Sequence, residues 1–141
     1  MTSANHVLGT IDYPDPPPVG GDHNPCWAKW GVHDDVVAPE NWVHNLEHGG
    51  VIFLYRSSSG ASPVGDAGTM DTGAVSRIDA VVRLLPRTLS TEYAALPKAF
   101  AVVAWGHRLV SDCFDEKAAE DFYAEHFNQA PEDIPDDPTC N

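Results

Sequence analysis

Two unbroken apolar runs organise the chain: "VIFLY" from Val51 to Tyr55 and "AFAVVAW" from Ala99 to Trp105. Both are short, β-branched and aromatic, so each predicts a strand buried on both faces. Elsewhere the apolar positions recur at helical spacing. Val75, Ile78, Val82 and Leu85 do so behind Thr72, a capping residue, and Pro86 ends the run. A last helix, "EKAAEDFYAEHF", follows Asp115 as its cap, with Ala119, Phe122, Tyr123 and Phe127 facing inward and acids outward. A short one starts at Trp42 behind Asn41 and stops where Gly49 or Gly50 takes a left-handed conformation. Thr91 to Leu96 reads as an extra turn, and Gly106, His107 and Arg108 as a turn or strand end.

Three stretches lack such patterns. "IDYPDPPPVGG", residues 11–21, carries Pro14, Pro16, Pro17 and Pro18 and predicts a stiff, extended N-terminal arm leading into Asp22 and His23. The segment after it lies across the body and buries Trp27 and Trp30. Arg56 to Gly73 is a Ser- and Gly-rich loop, long for a small domain, and residues 128–141 form an acidic, proline-broken tail. Short strands mixed with separate helices, without a repeated strand-helix-strand pattern, predict an α+β fold: one small domain over residues 1–141, with a layer of strands packed against separate helices.

The length of 141 residues suits this reading, since a body of that size buries roughly two thirds of its unfolded surface without needing a metal or disulfide for its core. Charge narrows the partners. With 21 acidic against 8 basic residues, the formal net charge of −13 repels phosphate backbones and anionic lipid, so nucleic acid is not an expected partner. Ten of the carboxylates fall between Asp112 and Asp137, where Lys117 is the one Lys or Arg; this reads as a solvated flank. No apolar run approaches the ~20 residues of a membrane helix, and "MTSANHVLGT" is no signal segment, so the chain as given reads as soluble, leaderless and cytoplasmic. Cys26, Cys113 and Cys140 include no Cys-x-x-Cys pair and make no zinc motif by themselves. Sequence leaves the oligomeric state open.

The candidate chemistry sits in "HNLEH", residues 44–48. On a helix His44 and His48 lie on one side and can offer two imidazoles to one ion, and imidazole suits zinc, copper or iron. His-x-x-Glu-His also coincides with an inverted zinc-protease signature, but Gly49 and Gly50 break the segment too early for the long helix that scheme needs. His23, delivered by the arm behind Gly20 and Gly21, is the expected third ligand, with His33 in reserve and Glu40, four before His44, as an oxygen donor on the same face. Glu47 stays open between a catalytic base, a ligand-orienting group and a partner of Arg56 or Arg108. The resulting expectation is one transition-metal ion, zinc preferred over copper or iron, on His23, His44 and His48. Three protein ligands leave a position for a water nucleophile or a small-molecule substrate, so hydrolysis or proton abstraction is the first functional reading. Copper or iron redox chemistry is the second, and non-catalytic copper or zinc binding, or a protein-interaction domain, the third. The chain has no phosphate loop, nucleophile elbow or dinucleotide fingerprint.

Together, "YPDPPPVGGDHNPCWAKWGVHD", "ENWVHNLEHGGVIFLYR", "AWGHRL" and the late "APE" and "TC" resemble the bacterial domain of unknown function 3105 family over nearly the whole chain. The resemblance implies histidines at His6, His23, His44 and His48 with acids at Glu40 and Glu47, which brings His6 into consideration despite its place near the terminus. It also implies an exported or periplasmic origin for many members. Three departures stand out. Trp30 replaces a common cysteine, so that the resemblance implies Cys26 taking over a pairing with Cys140; His33 replaces a tyrosine; His107 replaces an arginine. The last two suggest an added ligand or a proton shuttle, and His107 joins Glu47 as a catalytic candidate.

Overall fold

A computed structural model describes residues 5–56, 70 and 72–129. Among them the elements run β1 (Gly31–Val32), α1 (Pro39–Glu47), β2 (Val51–Tyr55), α2 (Thr72–Leu84), β3 (Thr88–Glu92), β4 (Phe100–Ala104), β5 (His107–Ser111) and α3 (Glu116–His126). The strands form one open sheet in the order β1-β3-β2-β4-β5, packed against three separate helices, as the α+β expectation has it. The sheet is mixed. β2 and β3 run parallel, joined through α2, while β2 with β4 and β4 with β5 are antiparallel.

The unbroken apolarity of β2 follows from its place at the centre. Successive side chains point to opposite faces, so Val51, Phe53 and Tyr55 enter a core shared with α2 and α3, and Ile52 and Leu54 enter a second core shared with α1. β4 divides in the same way, with Phe100 and Val102 on one face and Ala101 and Val103 on the other. The α1 face matters most here. Trp42, Val43 and Leu46 are fully buried against it and fix the rotation of α1, which sets where His44 and Glu47 point.

Several boundaries differ from the sequence reading. α1 begins at Pro39 rather than Trp42, because proline at the first helical position lacks only a donor that has no helical partner anyway; Ala38, not Asn41, occupies the cap. Asn41 instead donates from Nδ2 to the Cys26 carbonyl. β3 takes Thr91 and Glu92 from the stretch expected to hold a turn, and the turn follows directly, closed by the Leu96 N–H donating to the Tyr93 carbonyl. The strand's "TLSTE" looks too polar for a central strand, but hydroxyls supply what apolar side chains do elsewhere: Thr88 Oγ1 donates to the Val82 and Leu85 carbonyls and Ser90 Oγ to Asp79 of α2. Trp27 is buried as expected, while Trp30 is half-buried. Most of the Ser- and Gly-rich loop and of the acidic tail lies outside the described residues.

The proline-rich arm has no regular structure, yet it is clipped at several points. Glu40 Oε2 accepts from the Ile11 N–H at 2.7 Å, Arg108 donates to the Asp15 and Pro17 carbonyls at 3.0 Å each, and the Gly106 N–H donates to the Val19 carbonyl. These contacts tie the arm to α1 and to the β4–β5 turn. They return the chain, by residue 23, to the place where it started.

Candidate metal centre

His6 and His23 meet as an isolated parallel bridge: the Val7 N–H donates to the His23 carbonyl at 2.7 Å, and the His23 N–H to the Asn5 carbonyl at 3.0 Å. The side chains then turn to α1. Glu47 Oε1 lies 3.1 Å from His23 Nε2 and 3.7 Å from the Nε2 atoms of both His44 and His6. One ligand atom from each of these four residues falls within 4.8 Å of every other, a group that could hold a metal ion. His23, His44 and Glu47 are buried, whereas the His6 side chain is 48% exposed.

What faces inward is decided by what lies behind. His23 Nδ1 sits 2.7 Å from the Gly21 carbonyl and His44 Nδ1 2.8 Å from the Asn24 carbonyl. A carbonyl only accepts, so each Nδ1 carries a proton, and in neutral imidazole the Nε2 lone pair then points into the cluster. Backbone carbonyls set metal-binding histidines in this way, fixing tautomer and ring orientation. Burial pushes His44 down to about 4 from an ordinary 6.5, against the pull of its bond to Asn24; His48 is also lowered, again first by burial. His44 is therefore neutral at pH 7, with its lone pair turned to a carboxylate.

That shift predicts an acid response in metal-free protein. Folded His44 holds a proton less tightly than unfolded His44, so between about 4 and 6.5 the unfolded state binds more protons. Stability is expected to fall as pH is lowered through that window. Urea midpoints measured in chelator at pH 7 and pH 5 check this, and His44→Gln should flatten the difference.

Asn45 and His48 of "HNLEH" have different work. His44 and His48 do lie on one side of α1, but their rings stack at 4.7 Å and 19° rather than converge, and His48 is not among the four grouped residues. The helix ends at Glu47, and His48 caps it in a turned conformation, its ring against Trp27 at 4.5 Å. The residue three after His44 reaches its ring nitrogen instead. Asn45 is fully buried and clamps Ala28 from both sides, accepting from its N–H at 2.8 Å and donating to its carbonyl at 2.9 Å. Gly50 lets Trp30 close over this end of the helix: a Cβ there would stand 2.6 Å from the Trp30 ring.

The remaining candidates lie elsewhere. Glu40 is buried but engaged with the Ile11 N–H. Arg56 and Arg108, the partners considered for Glu47, donate to the Ala94 and Leu96 carbonyls and to Asp15. His33 is bound to the Lys29 carbonyl. His107 opens β5, exposed, with its ring stacked on His126 at 4.1 Å. Cys113 is free and exposed; Cys26 is disulfide-bonded, and the expected partner Cys140 lies outside the described residues. No described helix is long and apolar enough to cross a membrane.

A cavity of about 580 Å³ opens beside the arm, lined among others by Tyr13, Asp15, Gly21, Asp22 and Arg108. It touches the neighbours of His23 in sequence, but none of the four grouped side chains lines it.

The family described as Protein of unknown function (DUF3105) matches residues 6–138. The chain belongs to that family. No curated protein and no solved structure matches it. All four grouped residues of this DUF3105 member fall within the matched span, His6 at its first position. His6 is the residue that pattern and spacing alone passed over. The missing signal was pairing at a distance, since nothing local in "SANHVL" announces a bridge to residue 23.

Proposed function

We propose that this protein binds one first-row divalent metal ion, zinc preferred and copper or iron next, on His6, His23, His44 and Glu47, and that it holds the ion rather than using it to transform a substrate. The observation that carries this reading is the collection of three Nε2 atoms around one carboxylate oxygen, at 3.1, 3.7 and 3.7 Å. Nitrogen lone pairs and a carboxylate oxygen are all acceptors, and packing them together in a buried site is unfavourable unless a cation sits among them. One proton serves one such contact. A divalent ion serves all of them, and three imidazoles with one carboxylate are a donor set for zinc, copper or iron.

Two features favour holding over hydrolysis. Glu47, the expected base, stands among the donors, and the group contains no second carboxylate to take a proton from bound water. The neighbouring cavity also does not reach the grouped side chains. His107 and His48 have no part in the proposed ligand set, although His48 supports the ring of His44.

Elemental analysis of protein purified without an affinity tag, followed by titration of the metal-free form with zinc and with copper, tests the reading. About one equivalent bound tightly, reduced at least tenfold in affinity by His44→Ala, is the expected outcome. Less than about 0.2 equivalents with no uptake on titration would falsify it.

A further inference from the structure

We propose that the site is built for handing its ion on, with His6 as the ligand that leaves; this rests on the metal-binding reading above. The four donors are unequal. His23, His44 and Glu47 are buried, and backbone carbonyls lock both buried rings from behind. The His6 ring is about half exposed, with side-chain exposure of 48%, and makes no ring hydrogen bond to a described residue. It rides on a segment with little to hold it. Residues 5–10 are all exposed, Leu8 at 80%, and the bridge to His23 supplies two backbone hydrogen bonds.

Three fixed donors and one exposed donor make a site that opens on one side without losing the ion. An incoming nitrogen, oxygen or sulfur donor from a chelating acceptor forms a bond to the ion as the His6 Nε2 bond breaks. His6 leaves as neutral imidazole, so neither the charge contributed by the protein nor the oxidation state of the metal changes. The acceptor then displaces the buried donors in turn. Its chemistry is that of a ligand with at least two metal-binding groups, approaching from the solvent side where His6 stands. A purely structural ion has no use for such an arrangement, because closed sites gain from having every ligand fixed.

The test uses the full-length zinc-loaded chain and the chromophoric chelator 4-(2-pyridylazo)resorcinol, with release followed by absorbance. His6→Ala, a change in an exposed segment, is expected to retain about one zinc but to release it at least about tenfold faster at low chelator. Free imidazole added to that variant should slow release towards the wild-type rate, a rescue that a folding defect does not show. For wild type, the rate should rise with chelator concentration, as exchange at His6 requires. Release from His6→Ala within twofold of wild type, or a wild-type rate independent of chelator, overturns the hand-over proposal while leaving metal binding intact. Failure of both proteins to take up zinc overturns both readings.

Discussion

Saturating zinc is expected to raise the melting temperature of the metal-free protein by about 5–10 °C, and Glu47→Gln to remove most of that rise while leaving the metal-free form at least as stable. The first half is mass action. A ligand at a hundred times its dissociation constant stabilises by about 2.7 kcal/mol, and a domain of this size gains roughly 2–4 °C per kcal/mol. The second half comes from the lone pairs. Glu47 Oε1 faces His23 Nε2 at 3.1 Å and two further imidazole nitrogens at 3.7 Å, an arrangement that sets acceptor against acceptor wherever no cation or proton lies between them. Glutamine keeps the shape, drops the buried charge and offers an N–H that one of those nitrogens can accept. It therefore repairs the empty cluster as it disables the loaded one. Calorimetric scans of both proteins, with zinc and with chelator, read the two effects separately. An undiminished zinc-induced rise in the variant removes Glu47 from the ligand set.

Asn45→Ala is expected to cost about 2–4 kcal/mol of stability, although the Asn45 side chain bonds to Ala28 and not to a grouped side chain. Its amide clamps both polar atoms of the Ala28 backbone, and truncation leaves the N–H and the carbonyl without these partners. The segment it releases includes Asn24, whose carbonyl orients His44. Zinc affinity should fall as well, by about 10–100-fold, the usual cost of losing support behind a ligand. Urea denaturation in chelator measures the first effect and zinc titration under native conditions the second. A variant as stable as wild type would mean that the Ala28 segment is held by its other contacts.

The sheet was largely legible in the sequence because its central strands are extreme. "VIFLY" and "AFAVVAW" have both faces buried, so their apolarity identifies them without a partner, and β2 has the bounds that its residues suggest. β3 was not legible. It too is central, but its face towards α2 is satisfied by hydroxyl hydrogen bonds, which look in a linear sequence like loop composition. At the site, helical spacing drew His44 and His48 together correctly as neighbours, yet neighbouring rings on one helix face can stack as readily as converge. The arm's delivery of His23 was visible in its glycines. His6 came into view only through the family resemblance, because nothing in local spacing shows that the folded arm returns residue 23 to residue 6.

The four grouped residues all lie within the first 47 positions of the chain, whereas α1, which aims two of them, is seated on strands that extend to Ala104. During synthesis the ligands emerge before the surface that arranges them. On the metal-binding reading, an ion has no ordered site to enter until β2, β3 and β4 have paired, so metal uptake is expected to follow folding of the sheet rather than to nucleate it. In this respect the cluster is the reverse of a zinc finger, where the metal makes the fold.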